Sequence, residues 1–349
     1  MEEAQDRLRW GILATGSIAA SFVEGVINSE LCTVVAIGSR SQESADQFAD
    51  QFADQFGGIP NRHPSYQALL DDEDVEAVYI ATPHPMHKEW AIKAAHAGKH
   101  ILCEKPIGLN VSEAKEIIQA AKDNDVFLME AYMYRCSEQT LEIIKQIKDG
   151  AIGQVKSIEA SFSFDIGDNP DGRHLNKALA GGGILDVGGY PMSMAGLIAG
   201  VANGENFSEP VEIKAVGFIG TTGVDEYTSA VVSFAGDITA RLSCGVALEE
   251  PINVSVSGSK GRLFIPVPWK PSPQGGDSEL QLYKNGADEP ELIKVKTEKY
   301  LYGAEADSVA RGIGAGKAIF PAMSCDDTLA LMRSLDRWRE QIGLRYDGE

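Results

Sequence analysis

Between residues 8 and 129 the chain alternates continuous apolar runs with amphipathic stretches, and no other feature limits its folds as tightly. Residues 8–13, 33–38, 75–81, 100–103 and 126–129 read as strands buried on both faces. Helical periodicity separates them, over residues 17–28, from Ser41 onward, over 85–97 and over 111–122. Strands without a polar face need cover on both sides, which a parallel sheet between two helix layers supplies. The pattern therefore predicts a doubly wound α/β domain of the dinucleotide-binding kind. Within the second helix a four-residue unit recurs as residues 45–48, 49–52 and 53–56. Four residues slightly exceed one turn, so Phe48, Phe52 and Phe56 are expected along one buried helix face.

Beyond Tyr134 the period changes. A helix over 138–148 precedes alternating, half-buried runs at 154–164, 213–219, 229–234, 238–244 and 252–257. Strands in succession without helices between them predict a mainly antiparallel sheet, hence an α+β second half. Residues 266–276 (PVPWKPSPQGG) read as a Pro/Gly-rich loop, and a closing helix is expected over 326–342. The chain thus divides into a dinucleotide-binding Rossmann domain, 1–134, and an α+β domain, 135–349, as its 349 residues suggest.

Charge narrows the partners. Fifty-one acidic against 31 basic residues leave a net charge of −20, and so acidic a surface repels phosphate backbones and anionic lipid. Neither nucleic acid nor membrane is expected as a partner, and no window is read as long enough for a membrane span. Cys32, Cys103, Cys136, Cys244 and Cys325 form no CxxC pair, which suggests reduced thiols. With no apolar leader in MEEAQDRLRW, a cytoplasmic location is expected.

The strongest chemistry lies where the strands of the first half end. Ala14-Thr15-Gly16-Ser17-Ile18-Ala19 occupies the first strand-to-helix turn, a degenerate form of the G-x-G-x-x-G/A loop that brings backbone up to a pyrophosphate. A plain tight turn would leave the same trace. The second strand ends in Gly38-Ser39-Arg40-Ser41, where an NAD enzyme usually carries Asp or Glu. Arg40 suits a 2′-phosphate, so NADP is expected, with NAD the alternative; a solvent-facing arginine is the plainer reading.

Thr82-Pro83-His84-Pro85-Met86-His87 follows the next strand and should face the nicotinamide. The two histidines have no Cys or carboxylate partner nearby in sequence, so a cofactor wall is expected and a metal is not. The strand over 100–103 runs into Glu104-Lys105-Pro106. Proline stiffens the turn that presents Lys105 at the ligand edge, where a nicotinamide cation would disfavour its ammonium. Downstream, Gly181-Gly182-Gly183-Ile184-Leu185-Asp186-Val187-Gly188-Gly189-Tyr190-Pro191 packs glycine against a ligand or another segment. Asp186 and Tyr190 are four apart and would share a helix face as an acid–phenol pair; an N-cap aspartate and a core tyrosine are the bland alternative.

WGILATGSIA, ATPHPMH, LCEKPIGLN, LMEAYMYRC and LAGGGILDVGGYP with its upstream Arg173 together resemble the Gfo/Idh/MocA oxidoreductases. The likeness is to the branch that contains glucose–fructose oxidoreductase, dimeric dihydrodiol dehydrogenase and NADP-linked xylose dehydrogenase. It implies a Rossmann domain followed by a large open, mainly antiparallel sheet, with a homodimer or homotetramer formed through that sheet. Lys105 resembles the catalytic lysine, Tyr190 the phenolic acid/base and Asp186 the carboxylate that orients substrate hydroxyls. Cofactor contacts are implied for Gly16, Ser17, Ile18, Ser39, Arg40, Thr82, His84, His87, Glu104, Lys105 and Arg173. Substrate contacts are implied for Lys105, Tyr134, Arg135, Asp186 and Tyr190. Ala14 and His174 depart from the family pattern.

The expected activity is reversible hydride transfer between NADP(H) and a hydroxyl-bearing carbon of a sugar, polyol or cyclic diol, with Lys105 or Tyr190 exchanging the proton. A catalytically silent NADP-binding regulator and a nicotinamide-dependent glycosidase are the competing classes.

Overall fold

The computed structural model describes residues 7–346 except 57, 168 and 170; residues 1–6, to which the expectation of no apolar leader applies, lie outside them. The first half runs β1 (Leu8–Leu13), α1 (Ser17–Val26), β2 (Cys32–Gly38), α2 (Gln42–Asp50), α3 (Ala53–Phe56), β3 (Asn61–His63) and α4 (Tyr66–Leu70). It continues with β4 (Ala77–Ile80), α5 (His87–His96), β5 (His100–Glu104), α6 (Val111–Asp123) and β6 (Leu128–Ala131). Its six strands form one sheet in the order β3-β2-β1-β4-β5-β6, every pair parallel. The order turns back beside β1, so β1 and β4 diverge into the crevice where such sheets take ligands.

The second half runs α7 (Glu138–Lys148), β7 (Val155–Ser163), α8 (Gly189–Ala202), β8 (Glu212–Ile219), β9 (Asp225–Phe234), β10 (Ile238–Gly245) and β11 (Val254–Gly258). Then follow β12 (Gly261–Ile265), β13 (Gly276–Lys284), β14 (Glu291–Thr297), α9 (Leu301–Ala315) and α10 (Cys325–Ile342). Eight strands pair as β14-β13-β12-β11-β7-β10-β9-β8. Only β7 and β10 run parallel, and the other pairs are antiparallel. One face of this sheet packs on α8, while the other leaves Val216, Phe218, Tyr227 and Val231 exposed. The predicted α/β and mainly antiparallel halves are both present.

Three details differ from the expectation. The helix from Ser41 breaks at Gln51 and Phe52 into α2 and α3. Each four-residue repeat advances the phenylalanine by about 40° around a straight helix. The break brings Phe52 back inside against Phe48, with ring centroids 5.3 Å apart, while the side chain of Phe56 lies outside the described residues.

Second, the boundary at residue 134 separates the sheets but not the helices. α9 returns to pack on α1, where a Cβ on Gly25 would sit 2.6 Å from Cβ of Tyr302. α10 likewise packs on α6 and β6 as well as on α8 and β8. Third, one stretch, Lys177–Ala202, is long and apolar enough to cross a membrane, with a mean hydropathy of 1.3 over its best window. That window is wholly buried inside the protein, as the central helix of a folded core would be.

Candidate active site

β1 delivers Ala14 to the crevice with φ = 95°, backbone that the fingerprint's first glycine would adopt without strain. The Ala14 N–H still reaches the carbonyl of Gly38 at 3.0 Å, which closes the turn. Gly16 caps α1 in an extended conformation with no side-chain cap, so the first amides of that helix have no side-chain acceptor. A Cβ on Gly16 would meet nothing within 4 Å; its bareness serves the open space in front of it, not packing. Ser17, Ile18, Ser39, Arg40 and Ser44 border the same space, a cleft of about 680 Å³, large enough for a small-molecule cofactor and a substrate.

The loop after β4 forms the next wall. His87 has no exposed surface; its ring nitrogens lie 2.7 Å from the Pro106 carbonyl and 2.8 Å from that of Thr82. It ties the β4 and β5 loops together beneath the cleft, and burial, outweighing those carbonyls, pushes its pKa down. His84 faces the cleft from the same loop, and burial holds it neutral, with a pKa of about 3.

At the end of β5, the Lys105 ammonium donates to the backbone carbonyl of Asp186 at 2.7 Å and lies 3.9 Å from its carboxylate. It also sits 5.2 Å from the centroid of the Tyr190 ring. Asp186 accepts from Arg173 at 2.9 Å, with His174 at 3.7 Å and His84 at 4.0 Å. Burial raises the Asp186 pKa, but Lys105, Arg173 and the histidines overcome that and hold it at about 2, so the carboxylate is ionised. Tyr190 is the opposite case. Burial, with Glu104 next, lifts its phenol well above the ordinary value, so at neutral pH it keeps its proton and can donate it.

The geometry behind this pair is a π-helical turn, Ile184–Gly188, running straight into α8. Such turns are rare and concentrate at functional sites. Asp186 and Tyr190 do border one cleft, but the Tyr190 hydroxyl points to the sulfur of Met133 at 3.5 Å, and it is the ring that meets Lys105. The glycine cluster packs against chain: a Cβ on Gly182 (φ = 113°) would overlap Asp225 Oδ1, and one on Gly183 would lie 3.1 Å from Gly245 Cα. Asp225 Oδ2 accepts from the amide of Ile184 at 2.7 Å and so fixes where the π-turn starts. Burial lifts Asp225 to about 7.

Two expected substrate contacts lie elsewhere. Tyr134 and Arg135 are fully buried and do not border the cleft. Tyr134 donates to Ser193 at 2.9 Å, and Arg135 bonds the Pro321 carbonyl at 2.6 Å and Asp327 at 3.0 Å. They fasten the segment after β6 to α8 and α10, because a buried guanidinium needs a carboxylate partner. Conversely, Phe162, Phe164, Lys270 and Tyr302 border the cleft without having been singled out from the sequence. Lys270 alone had a local signal, its place between prolines in the loop over 266–276. Among the described residues no cluster of His, Cys, Asp and Glu could hold a metal.

Residues 8–132 match the family model described as "Oxidoreductase family, NAD-binding Rossmann fold", and residues 140–264 match "GFO/IDH/MocA C-terminal domain". Trans-1,2-dihydrobenzene-1,2-diol dehydrogenase of Mus musculus is 32% identical over 345 residues, covering 97% of this chain and 98% of the relative. The Danio rerio protein of the same name is 33% identical over 348 residues, with the same coverage. A 3-ketoreductase from Actinomadura kijaniata, solved with NADP and TDP-benzene, superposes with a TM-score of 0.83 at 26% identity over 97% of this chain and 98% of that one. An aldose-aldose oxidoreductase from Caulobacter crescentus, solved with glycerol, gives 0.82 at 26% identity, over 96% and 97%.

Proposed function

Because the chain belongs to the Gfo/Idh/MocA family of NAD(P)-binding oxidoreductases acting on CH–OH groups, we propose that it moves hydride between NADP(H) and a hydroxyl-bearing carbon of a sugar, polyol or cyclic diol. The observation that carries this reading is one cation, Lys105, held between the ionised Asp186 and the protonated Tyr190 in the cleft that opens at Gly16.

The cleft suits a dinucleotide: Gly16 stands bare before it and the α1 amides have no side-chain cap. The α1 amides would hold the pyrophosphate, Ser39 and Arg40 the 2′-phosphate, and Thr82, His84, Glu104 and Arg173 would flank the nicotinamide end. When bound, the nicotinamide supplies or accepts the hydride. The protein manages the proton and the orientation. Asp186 accepts from substrate hydroxyls and keeps the Lys105 ammonium in place. In the reductive direction the Tyr190 hydroxyl, turning from the Met133 sulfur toward the substrate, donates its phenolic proton to the carbonyl oxygen, and the Lys105 ammonium over the ring stabilises the phenolate left behind.

The dihydrodiol and sugar activities named for the relatives support the substrate class. The exposed Val216, Phe218, Tyr227 and Val231 on the second sheet supply a face for a homodimer or homotetramer. All five cysteines are free, which fits the reducing cytoplasm, and the acidic surface suits neither nucleic acid nor anionic lipid.

A panel of aldoses, inositols and trans-dihydrodiols, assayed with NADP and with NAD at the reduced-cofactor absorbance, tests the reading. Turnover of at least one member is expected, with loss in both Lys105→Ala and Tyr190→Phe. Unchanged turnover in both variants overturns the catalytic assignment, equal rates with NAD overturn that of Arg40, and glycoside cleavage without net reduction makes the protein a glycosidase instead.

A further inference from the structure

The cleft is more positive than the protein around it. Among the described residues that border it, Arg40, Lys105, Arg173 and Lys270 are cations, and only Glu104 and Asp186 are acids. The whole chain, by contrast, carries a net charge of −20. Three of the cations already have a task. Lys105 and Arg173 are bound to Asp186, and Arg40 stands where the 2′-phosphate is proposed to lie. Lys270 has none: its ammonium forms no hydrogen bond, ion pair or ring contact among the described residues. Elsewhere the acidic surface pairs its lysines, as Lys88 with Glu116, Lys93 with Glu89 and Lys284 with Glu291.

The backbone that presents Lys270 is fixed. It lies between β12 and β13 in Pro266-Val267-Pro268-Trp269-Lys270-Pro271-Ser272-Pro273, where four prolines restrict φ. The Val267 carbonyl accepts from Gln139 at 3.0 Å, and that of Pro273 from the Leu301 amide at 3.1 Å. Between them the Trp269 ring is buried, and its indole N–H donates to the Ser161 carbonyl at 3.0 Å. Three ties fix where the Lys270 side chain starts, while the side chain itself stays exposed at the cleft.

Rings connect this point to the reacting groups. Trp269 lies 5.6 Å from the Tyr190 ring and stacks on Phe162 at 6.0 Å. Phe162 meets Phe164 at 6.3 Å, and Phe164 meets His174 at 5.5 Å. Phe162 and Phe164 both border the cleft. This wall is a strip of aromatic rings beside Tyr190, with Lys270 following its first ring in sequence and Arg173 preceding its last. Such a strip suits the apolar carbon face of a sugar or alicyclic ring.

We propose that the substrate is an acid: a ring that lies on Phe162 and Phe164 and carries a carboxylate or phosphoryl group, which Lys270 binds while Lys105 and Tyr190 act at the hydroxyl-bearing carbon. Lys270 breaks no ion pair to take the anion, so the charge-assisted bond adds to binding. Lys270 sets specificity and touches no reacting atom. The assignment rests on the redox reading above and names its substrate class.

The test assays the full chain with NADP on matched sets: glucose, glucuronate and glucose 6-phosphate, then galactose and galacturonate, with a neutral trans-dihydrodiol beside them. Acid members should exceed their neutral counterparts in kcat/KM by about tenfold or more, chiefly through KM, and added salt should shrink the ratio. Preference for the uronates or for the phosphate tells the two anions apart. Lys270→Gln should bring the acid-to-neutral ratio toward one, and Lys270→Arg should retain most of it. Equal kcat/KM for acid and neutral members in the unmodified protein, or a ratio that survives Lys270→Gln, overturns the proposal. So does a loss of NADP affinity in Lys270→Gln with the ratio intact, which gives the lysine to the cofactor's pyrophosphate. If no member of the sets is turned over, the redox reading itself fails, an outcome distinct from neutral members being turned over as readily as acids.

Discussion

The two sides of the cleft hold their functional groups by different means. The first-sheet side uses backbone ends: Ala14 and Gly16 after β1, Ser39 and Arg40 after β2, Thr82 and His84 after β4, and Glu104 and Lys105 at β5. Each stands within a few residues of the carboxyl end of a parallel strand, so strand order alone brings them together. The second-sheet side uses packing. Asp186 sits on a π-turn whose start is set by Asp225 on β9, Tyr190 on the helix that turn runs into, and Phe162 and Phe164 come from the end of β7, far in the chain from Lys270 in its loop. A ligand edge built from strand ends tolerates change in the body of its strands. A wall built from packing depends on residues that never touch a ligand.

The largest expected effect breaks the first side. Lys105→Ala removes the cation between Asp186 and Tyr190, and turnover should fall by roughly 10²–10⁴-fold. Cofactor affinity should change far less, because the phosphate contacts proposed above are at Gly16 and Arg40, away from Lys105. Steady-state turnover beside a cofactor titration checks this, and a parallel collapse of both would mean that Lys105 is a cofactor anchor instead.

Next in size is a change on the second side at a residue that touches no ligand. Gly182→Ala puts a methyl group onto Asp225 Oδ1 at φ = 113°. It should destabilise the fold by about 2 kcal/mol or more, and lower turnover by displacing the π-turn. Denaturant unfolding and activity should fall together. Wild-type activity in Gly182→Ala would show that the wall is less tightly coupled to the site than its geometry indicates.

This contrast also explains what was legible in the sequence. The strand ends were readable because a parallel sheet places functional residues at fixed points of a local pattern, and that pattern survives the irregular α2–α3 break. The GGG-x-L-D string was readable as close packing, but its partner, Asp225, lies 43 positions after Gly182 at the start of an ordinary alternating strand. Nothing local marks it. Tyr134 and Arg135 show the opposite error: a polar pair in a motif-rich segment was expected at the substrate, yet tertiary packing uses it to fasten helices. β13, β14 and α9 went unread because Gly276–Lys284 and Glu291–Thr297 are largely polar at one face and Leu301–Ala315 is rich in Ala and Gly. Tyr302 was lost with α9.

Arg40 sharpens the comparison at smaller scale. If the first side selects its ligand through strand-end side chains, Arg40→Ala should lower the preference for NADP over NAD by about tenfold or more, through loss of a charge-assisted contact to the 2′-phosphate. Turnover at saturating cofactor should hold. Ratios of kcat/KM for the two cofactors measure it, and an unchanged ratio would move the selection to Ser39 and the α1 amides.

The smallest effect concerns the one place where the first side also stores strain. Ala14 occupies a backbone conformation, φ = 95°, that a Cβ makes unfavourable by roughly 1–2 kcal/mol. Glycine would relieve this, while raising the entropy of the unfolded chain by somewhat less. Ala14→Gly should therefore stabilise the protein by up to about 1 kcal/mol, read as a higher denaturant midpoint, without loss of cofactor affinity. A stabilised variant that binds cofactor normally would show that the alanine is tolerated strain in an otherwise glycine-shaped turn. If affinity falls while stability rises, the Ala14 methyl group contacts the dinucleotide directly, and this side of the cleft too would depend on packing at its first turn.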